Sequence, residues 1–172
     1  MITVRVERNE DIGAIHLVNR MAFGQEDEAV LVQRIRESSG FIPALSLVAV
    51  KDSRVVGHIL FSQIHIVTPK EDVAVLSLAP MAVLPEFQNL GIGSQLVNTG
   101  LEKCRESGHT IVVVIGHPQY YPRFGFVPAG KKGLDLLFSV PAEAFMVCEL
   151  LPNALDGIEG TVIYPPEFAE AM

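Results

Sequence analysis

Cysteine is scarce: Cys104 and Cys148 are the only two in 172 residues. They lie far apart, with no Cys or His at metal-ligand spacing, which argues against a disulfide framework and against a bound metal. Two reduced core thiols are expected. Basic residues are also few. Thirteen Lys and Arg against twenty Asp and Glu leave a net charge of −7, and the basic residues form no long cluster. Nucleic acid is therefore not expected as a partner. The longest apolar runs, near 73–84 and 111–115, are too short to cross a bilayer as helices. Arg5, Glu7, Arg8, Glu10 and Asp11 crowd the N-terminus, where a signal peptide would need an uninterrupted apolar stretch. The expectation is a soluble, cytoplasmic chain with no membrane contact.

What is present is apolar surface. Nearly half the residues (49%) are hydrophobic, and the length suits one domain with a full core. No repeat, low-complexity tract or Pro/Ser linker divides the chain. A single domain over 1–172 is expected, with its core at about 2–150 and a C-terminal extension at 151–172. Apolar strands near the C-terminus allow a homodimer.

Residues 2–8 alternate as a short strand. Asp11 can cap a helix to about Phe23, with Ile12, Ile15, Val18 and Ala22 on one face and Gly24 at its end. A second helix is expected over 27–38. Strands are expected at 45–51, 55–66 and 73–83, the first bounded by Pro43. Pro80 falls inside the third, and proline cannot donate to a ladder, so an irregularity is expected at Ala79-Pro80. A helix over 94–107 buries Val97, Leu101 and Cys104. A strand at 110–116, a turn at 118–124 and strands at 134–139 and 144–150 follow, with a short apolar run at 161–164. A strand, helix and strand at 73–116 should form a parallel, right-handed unit within a mixed α/β sheet.

The most informative segment is Met81-Ala82-Val83-Leu84-Pro85-Glu86-Phe87-Gln88-Asn89-Leu90-Gly91-Ile92-Gly93-Ser94. A strand feeding a helix through a glycine loop presents N–H groups and the positive end of a helix dipole to an anion. A dinucleotide fingerprint needs a third glycine where Leu96 stands. A nucleotide-triphosphate loop needs a lysine after Gly93, where Ser94 stands. Neither departure excludes a plain helix start with two turn glycines.

Val83-x-Pro85-x-x-Gln88-x-x-Gly91-x-Gly93 resembles the acetyl-CoA signature of the GNAT N-acetyltransferase superfamily. Downstream, Tyr120-Tyr121-Pro122-Arg123-Phe124-Gly125-Phe126 resembles the GNAT segment that follows the next strand. With His117-Pro118 before it, this run is most similar to that of the YhbS-like group of bacterial acetyltransferases. The resemblance implies a GNAT fold, with a central mixed sheet splayed at the CoA site and flanked by helices. It implies acetyl transfer from acetyl-CoA to a primary amine by direct attack in a ternary complex, without a metal.

For the residues, the resemblance implies that Gln88 and the N–H groups of Asn89, Leu90, Gly91, Ile92, Gly93 and Ser94 cradle the CoA pyrophosphate. It implies that the main chain of the 81–83 stretch (Met81, Ala82, Val83) pairs with the pantetheine arm. Tyr121 takes the place of the tyrosine that protonates the leaving thiolate. His117 is a candidate base or CoA contact. Glu26 and Glu28, in the segment that lines the acceptor side in this superfamily, could bind a cationic amine, either a small molecule or a peptide. No carboxylate lies within 74–83 or 110–116, where GNAT enzymes often carry their base. That leaves a second reading open: a module of the same fold that binds acyl-CoA without turnover.

Overall fold

The computed structural model describes residues 1–171. Its elements are β1 (Thr3–Val6), α1 (Ile12–Phe23), α2 (Asp27–Arg36), β2 (Phe41–Lys51), β3 (Arg54–Val67) and β4 (Asp72–Val83), followed by α3 (Ile92–Glu106), β5 (Ile111–Ile115), β6 (Val127–Pro128), β7 (Leu134–Leu136), β8 (Phe145–Glu149) and β9 (Gly160–Ile163). The strands join in one sheet of order β1-β2-β3-β4-β5-β8-β6, and β9 pairs with the far end of β3 and with β7. β4–β5 and β7–β9 are parallel; the other pairs are antiparallel. The fold is the mixed α/β sheet expected from the sequence.

Alternation along the strands sorts the core into two faces. Leu47, Ile59, Phe61, Leu76 and Val112 pack with Leu96, Val97, Leu101 and Cys104 of α3. Val48, Leu60, Ile64, Ile66 and Val113 pack with Ile15 of α1 and Leu31, Val32 and Ile35 of α2. Gly100 lets α3 approach the sheet closely, since a Cβ there would lie 2.4 Å from the Phe61 ring. Alanine gains about 1 kcal/mol over glycine inside a helix, but overpacking costs about 1–3 kcal/mol. At so short a contact the clash dominates. Gly100→Ala should therefore cost about 1–2 kcal/mol of stability, seen as a lower urea midpoint. A raised midpoint would contradict this packing.

Several local expectations are corrected. Asp11 does not cap α1 through its side chain. It is itself helical (φ −84°, ψ −14°), and its carboxylate reaches back to Arg5 (2.7 and 3.1 Å) and the Arg8 N–H (2.7 Å). β2 runs through Pro43 rather than starting after it. The register shifts between Phe41 and Ser46, and this break in the ladder accommodates the proline. Asp52 and Ser53 both have positive φ (49° and 65°), which makes the glycine-free β2–β3 turn a type I′ hairpin. The short strand β6 was not expected at all. The irregularity at Pro80 is present: Phe61 pairs with Leu78 and Ile59 with Met81, so Leu60 faces both Ala79 and Pro80.

β8 lies between β5 and β6, and β9 between β3 and β7, so neighbouring strands within the chain cover their edges. Cys104 and Cys148 are free, buried thiols, and burial pushes Cys104 up to about 12. Among the described residues, no helix is long and apolar enough to cross a membrane.

A buried polar chain pins α1 and α2 to their face of the sheet. The Asn19 amide donates to the Ile15 carbonyl (3.0 Å) and meets His58 Nδ1 at 3.1 Å. An amide nitrogen only donates, so Nδ1 accepts and Nε2 carries the proton. Nε2 donates to Ser46 Oγ (3.0 Å), whose hydroxyl donates to Glu7, which pairs with Arg36. His58 is fully buried, and that desolvation, with Arg36 nearby, lowers its pKa to about 3.

Candidate active site

The parallel strands β4 and β5 touch only at Leu76–Val112 and Ser77–Val113. Beyond Ser77, β4 continues for six residues along β3 while β5 diverges. The Leu84 N–H donates to the Val56 carbonyl. In an antiparallel ladder alternate residues turn their backbone groups to the same side. Leu84 and Ala82 therefore face β3, and the N–H and C=O of Met81 and Val83 face the opening. One of these four groups is taken, because Gln88 Nε2 donates to the Val83 carbonyl at 2.9 Å. The Met81 N–H and C=O and the Val83 N–H stay available to a ligand strand.

The glycine loop leads from this opening into α3. Asn89 and Gly91 both adopt the left-handed conformation (φ 63° and 84°), turning the chain into the helix. The Gln95 N–H makes the first helical bond, to Gly91 O at 3.0 Å. The N–H groups of Ile92, Gly93 and Ser94 therefore precede the helical ladder. A Cβ at Gly93 would fall 2.9 Å from the Tyr120 hydroxyl and 3.3 Å from the end of Met81. That hydroxyl also lies 3.3 Å from Ser94 Oγ.

Tyr120 and Tyr121 sit where β5 ends. Tyr121 is buried, edge-on to Tyr120 (5.2 Å) and Phe126 (5.6 Å). Its ring occupies the space over Gly116, where a Cβ would lie 2.6 Å from it. Burial, and secondarily Tyr120, raises its pKa above the usual phenol value. Arg123 lies over the Tyr120 ring at 4.7 Å and donates to the Tyr120 carbonyl at 2.9 Å.

These pieces enclose a cleft of about 880 Å³ along the splay. It is lined by Met81, Ala82, Val83, Gln88, Asn89, Gly91, Ile92, Gly93, Ser94, His117, Tyr121 and Glu28. Leu90 is 65% exposed and does not line it, and neither does Glu26. The Glu26 carboxylate lies outside, against His16 (3.1 Å) and Arg20 (3.6 Å). The sequence reading missed Phe87, Phe23, Leu31, Ala171 and Arg123 as lining residues. Arg123 was visible inside the second motif, but nothing in its spacing marked it for the cleft. No group of three or more His, Cys, Asp or Glu among the described residues is placed to hold a metal.

A mixed sheet opened between two parallel strands, above a glycine-led helix start and beside a buried tyrosine, defines a GNAT-type acyltransferase. The chain belongs to that family: the model of the acetyltransferase (GNAT) domain matches residues 3–129. It is 40% identical over 142 residues to the uncharacterised N-acetyltransferase YjhQ of Escherichia coli (strain K12), covering 82% of this chain and 78% of that one. The crystal structure of the E. coli GNAT family N-acetyltransferase YhbS in complex with CoA superposes with a TM-score of 0.90 at 34% identity, covering 98% and 92% of the two chains. A GNAT family acetyltransferase from Brucella melitensis, in complex with acetyl-CoA, gives 0.79 at 30% identity over 98% of both.

Proposed function

We propose that the protein transfers an acetyl group from acetyl-CoA to a primary amine by direct attack within a ternary complex. The observation that carries this is the splay, where the free Met81 N–H and C=O and the free Val83 N–H lie between the α3 N-terminus and Tyr121. The pyrophosphate rests on the N–H groups that open α3. The pantetheine arm pairs with Met81 and Val83 as an added strand. Gln88 acts indirectly, holding the Val83 carbonyl and the loop together. Arg123 is the only Lys or Arg lining the cleft among the described residues, and it supplies the one fixed positive side chain to the CoA phosphates.

The neutral amine attacks the thioester carbonyl carbon, and the developing oxyanion accepts from a main-chain N–H near Met81. As the C–S bond breaks, Tyr121 donates to the departing sulfur. The amine proton leaves towards His117, Glu28 or water; these two side chains are the proton acceptors lining the cleft among the described residues.

A purified sample should release CoA thiol from acetyl-CoA with at least one amine in a broad panel, with the acetylated amine seen by mass spectrometry. Acetyl-CoA binding without turnover across the panel would favour the acyl-CoA sensor. Arg123→Gln should raise KM for acetyl-CoA about tenfold, near the strength of one charge-assisted contact, with kcat unchanged. Added salt should weaken wild-type donor binding more than that of the variant. An unchanged KM would remove Arg123 from the donor site.

A further inference from the structure

The cleft is asymmetric in charge, with Glu28 and Arg123 as its charged lining residues among those described. α3 and its loop close one side of the splay, and α1, α2 and the C-terminal turn close the other. At that second end the lining is Ala22, Phe23, Leu31, Ala171 and Glu28. Leu31 is 4% exposed and Phe23 is 41% exposed, so an apolar wall leads out to an aromatic mouth. Ala171 is held there by Phe168, 2% exposed in the α2-side core, and by the ion pair of Arg34 and Glu170 at 3.2 Å. Glu28 is the only carboxylate lining the cleft among the described residues, and Gln25 Nε2 orients it at 3.0 Å. Arg123 stands at the opposite end, beside Tyr120 and the start of α3.

Resting on the transferase reading above, we infer that the acceptor is a small monoamine with an apolar body and no carboxylate. Glu28 pairs with the incoming ammonium group, which gives up one proton to His117 or water before its nitrogen attacks the thioester, and Phe23 and Leu31 receive its hydrocarbon. Among the described residues this end of the cleft holds no second acid, so a polyamine would leave a desolvated ammonium unpaired. Among the same residues it holds no Lys or Arg, since Arg123 stands at the other end, so an α-amino acid would bring a carboxylate that Glu28 repels. Each methylene added to the body should increase binding about three- to fourfold through apolar burial.

The test compares kcat/KM for phenylethylamine, phenylalanine, spermidine, an n-alkylamine series and a short peptide with a free N-terminus. Phenylethylamine should exceed phenylalanine, spermidine and the peptide by about a hundredfold, the scale expected when a charged or polar group is buried unpaired. The alkylamines should improve with length. Glu28→Gln should raise KM for phenylethylamine about tenfold while KM for acetyl-CoA stays unchanged. Phe23→Ser, at an exposed position, should flatten the chain-length dependence. Preference for spermidine, phenylalanine or the peptide, or an unaltered chain-length dependence in Phe23→Ser, overturns the acceptor assignment and leaves the transferase reading standing. Transfer to none of these amines but to another member of the broad panel overturns the acceptor assignment alone, and acetyl-CoA binding with no transfer across that whole panel overturns both.

Discussion

Tyr121→Phe is expected to lower kcat by about 10²–10³-fold and to leave the affinity for CoA within about threefold. The substitution keeps the ring that packs over Gly116 and against Phe126 and removes only the hydroxyl. Fold and donor site should therefore persist, and the loss should fall on the chemical step. Burial disfavours the phenolate, so the hydroxyl keeps its proton at neutral pH. In the proposed mechanism the departing sulfur would enter the same desolvated splay, where its thiolate is disfavoured for the same reason. Donor and acceptor proton affinities rise together, and the hydrogen bond stays matched as the C–S bond lengthens. Turnover unchanged in Tyr121→Phe would remove the hydroxyl from the mechanism. A parallel loss of CoA affinity would make Tyr121 a binding residue.

The second large effect concerns stability. His58 is neutral in the folded protein, with its pKa lowered to about 3 against 6.5 for the free side chain. A base whose folded pKa is depressed stabilises the fold fully above its unfolded pKa and loses that contribution as pH falls. Between pH 6.5 and 3 the unfolded chain binds a proton that the folded chain refuses. Stability should therefore fall by about 1.4 kcal/mol per pH unit across that window. Lowering the pH from 6.5 to 4.5 should cost about 2–3 kcal/mol, read from urea unfolding at each pH. Asp11, whose pKa is lowered by its hydrogen bond from Arg5, adds a loss of the same sign, but only below the ordinary aspartate value of 3.8. Between pH 6.5 and 4.5 His58 therefore acts without Asp11. His58→Gln should be less stable than the wild type at pH 7, yet nearly indifferent to pH between 6.5 and 4.5. A wild type equally stable at both pH values would contradict the buried neutral imidazole.

Local chemistry made much of this architecture legible. Apolar periodicity placed α1, α2 and α3 within a few residues, because each buries one stripe against the sheet. Pro80 announced the bulge in β4, since a residue without an N–H cannot sit in an unbroken ladder. The spacing from Gln88 to Gly93, taken with Tyr121 downstream, led to the GNAT family before any fold was described. What sequence could not show depends on long-range contacts. The Asn19, His58, Ser46, Glu7 and Arg36 chain joins four elements and the residue after β1, with bonded partners up to 39 residues apart, and no local pattern marks it. Asp11 had the composition of a cap, but the neighbouring β1 arginine competed for its carboxylate. Glu26 and Glu28 are equivalent in sequence; only the packing of α2 turns Glu28 towards the cleft and leaves Glu26 to His16 and Arg20. Ala171 joins the same cleft from nearly 150 residues away, through Phe168.

A crystal structure with acetyl-CoA tests the proposed donor site most directly. The pyrophosphate should lie on the N–H groups of Ile92, Gly93 and Ser94, and the pantetheine arm should bond to Met81 and Val83. The thioester sulfur should lie within hydrogen-bond reach of the Tyr121 hydroxyl. Acetyl-CoA bound outside the β4–β5 opening, or a thioester pointing away from Tyr121, would contradict it.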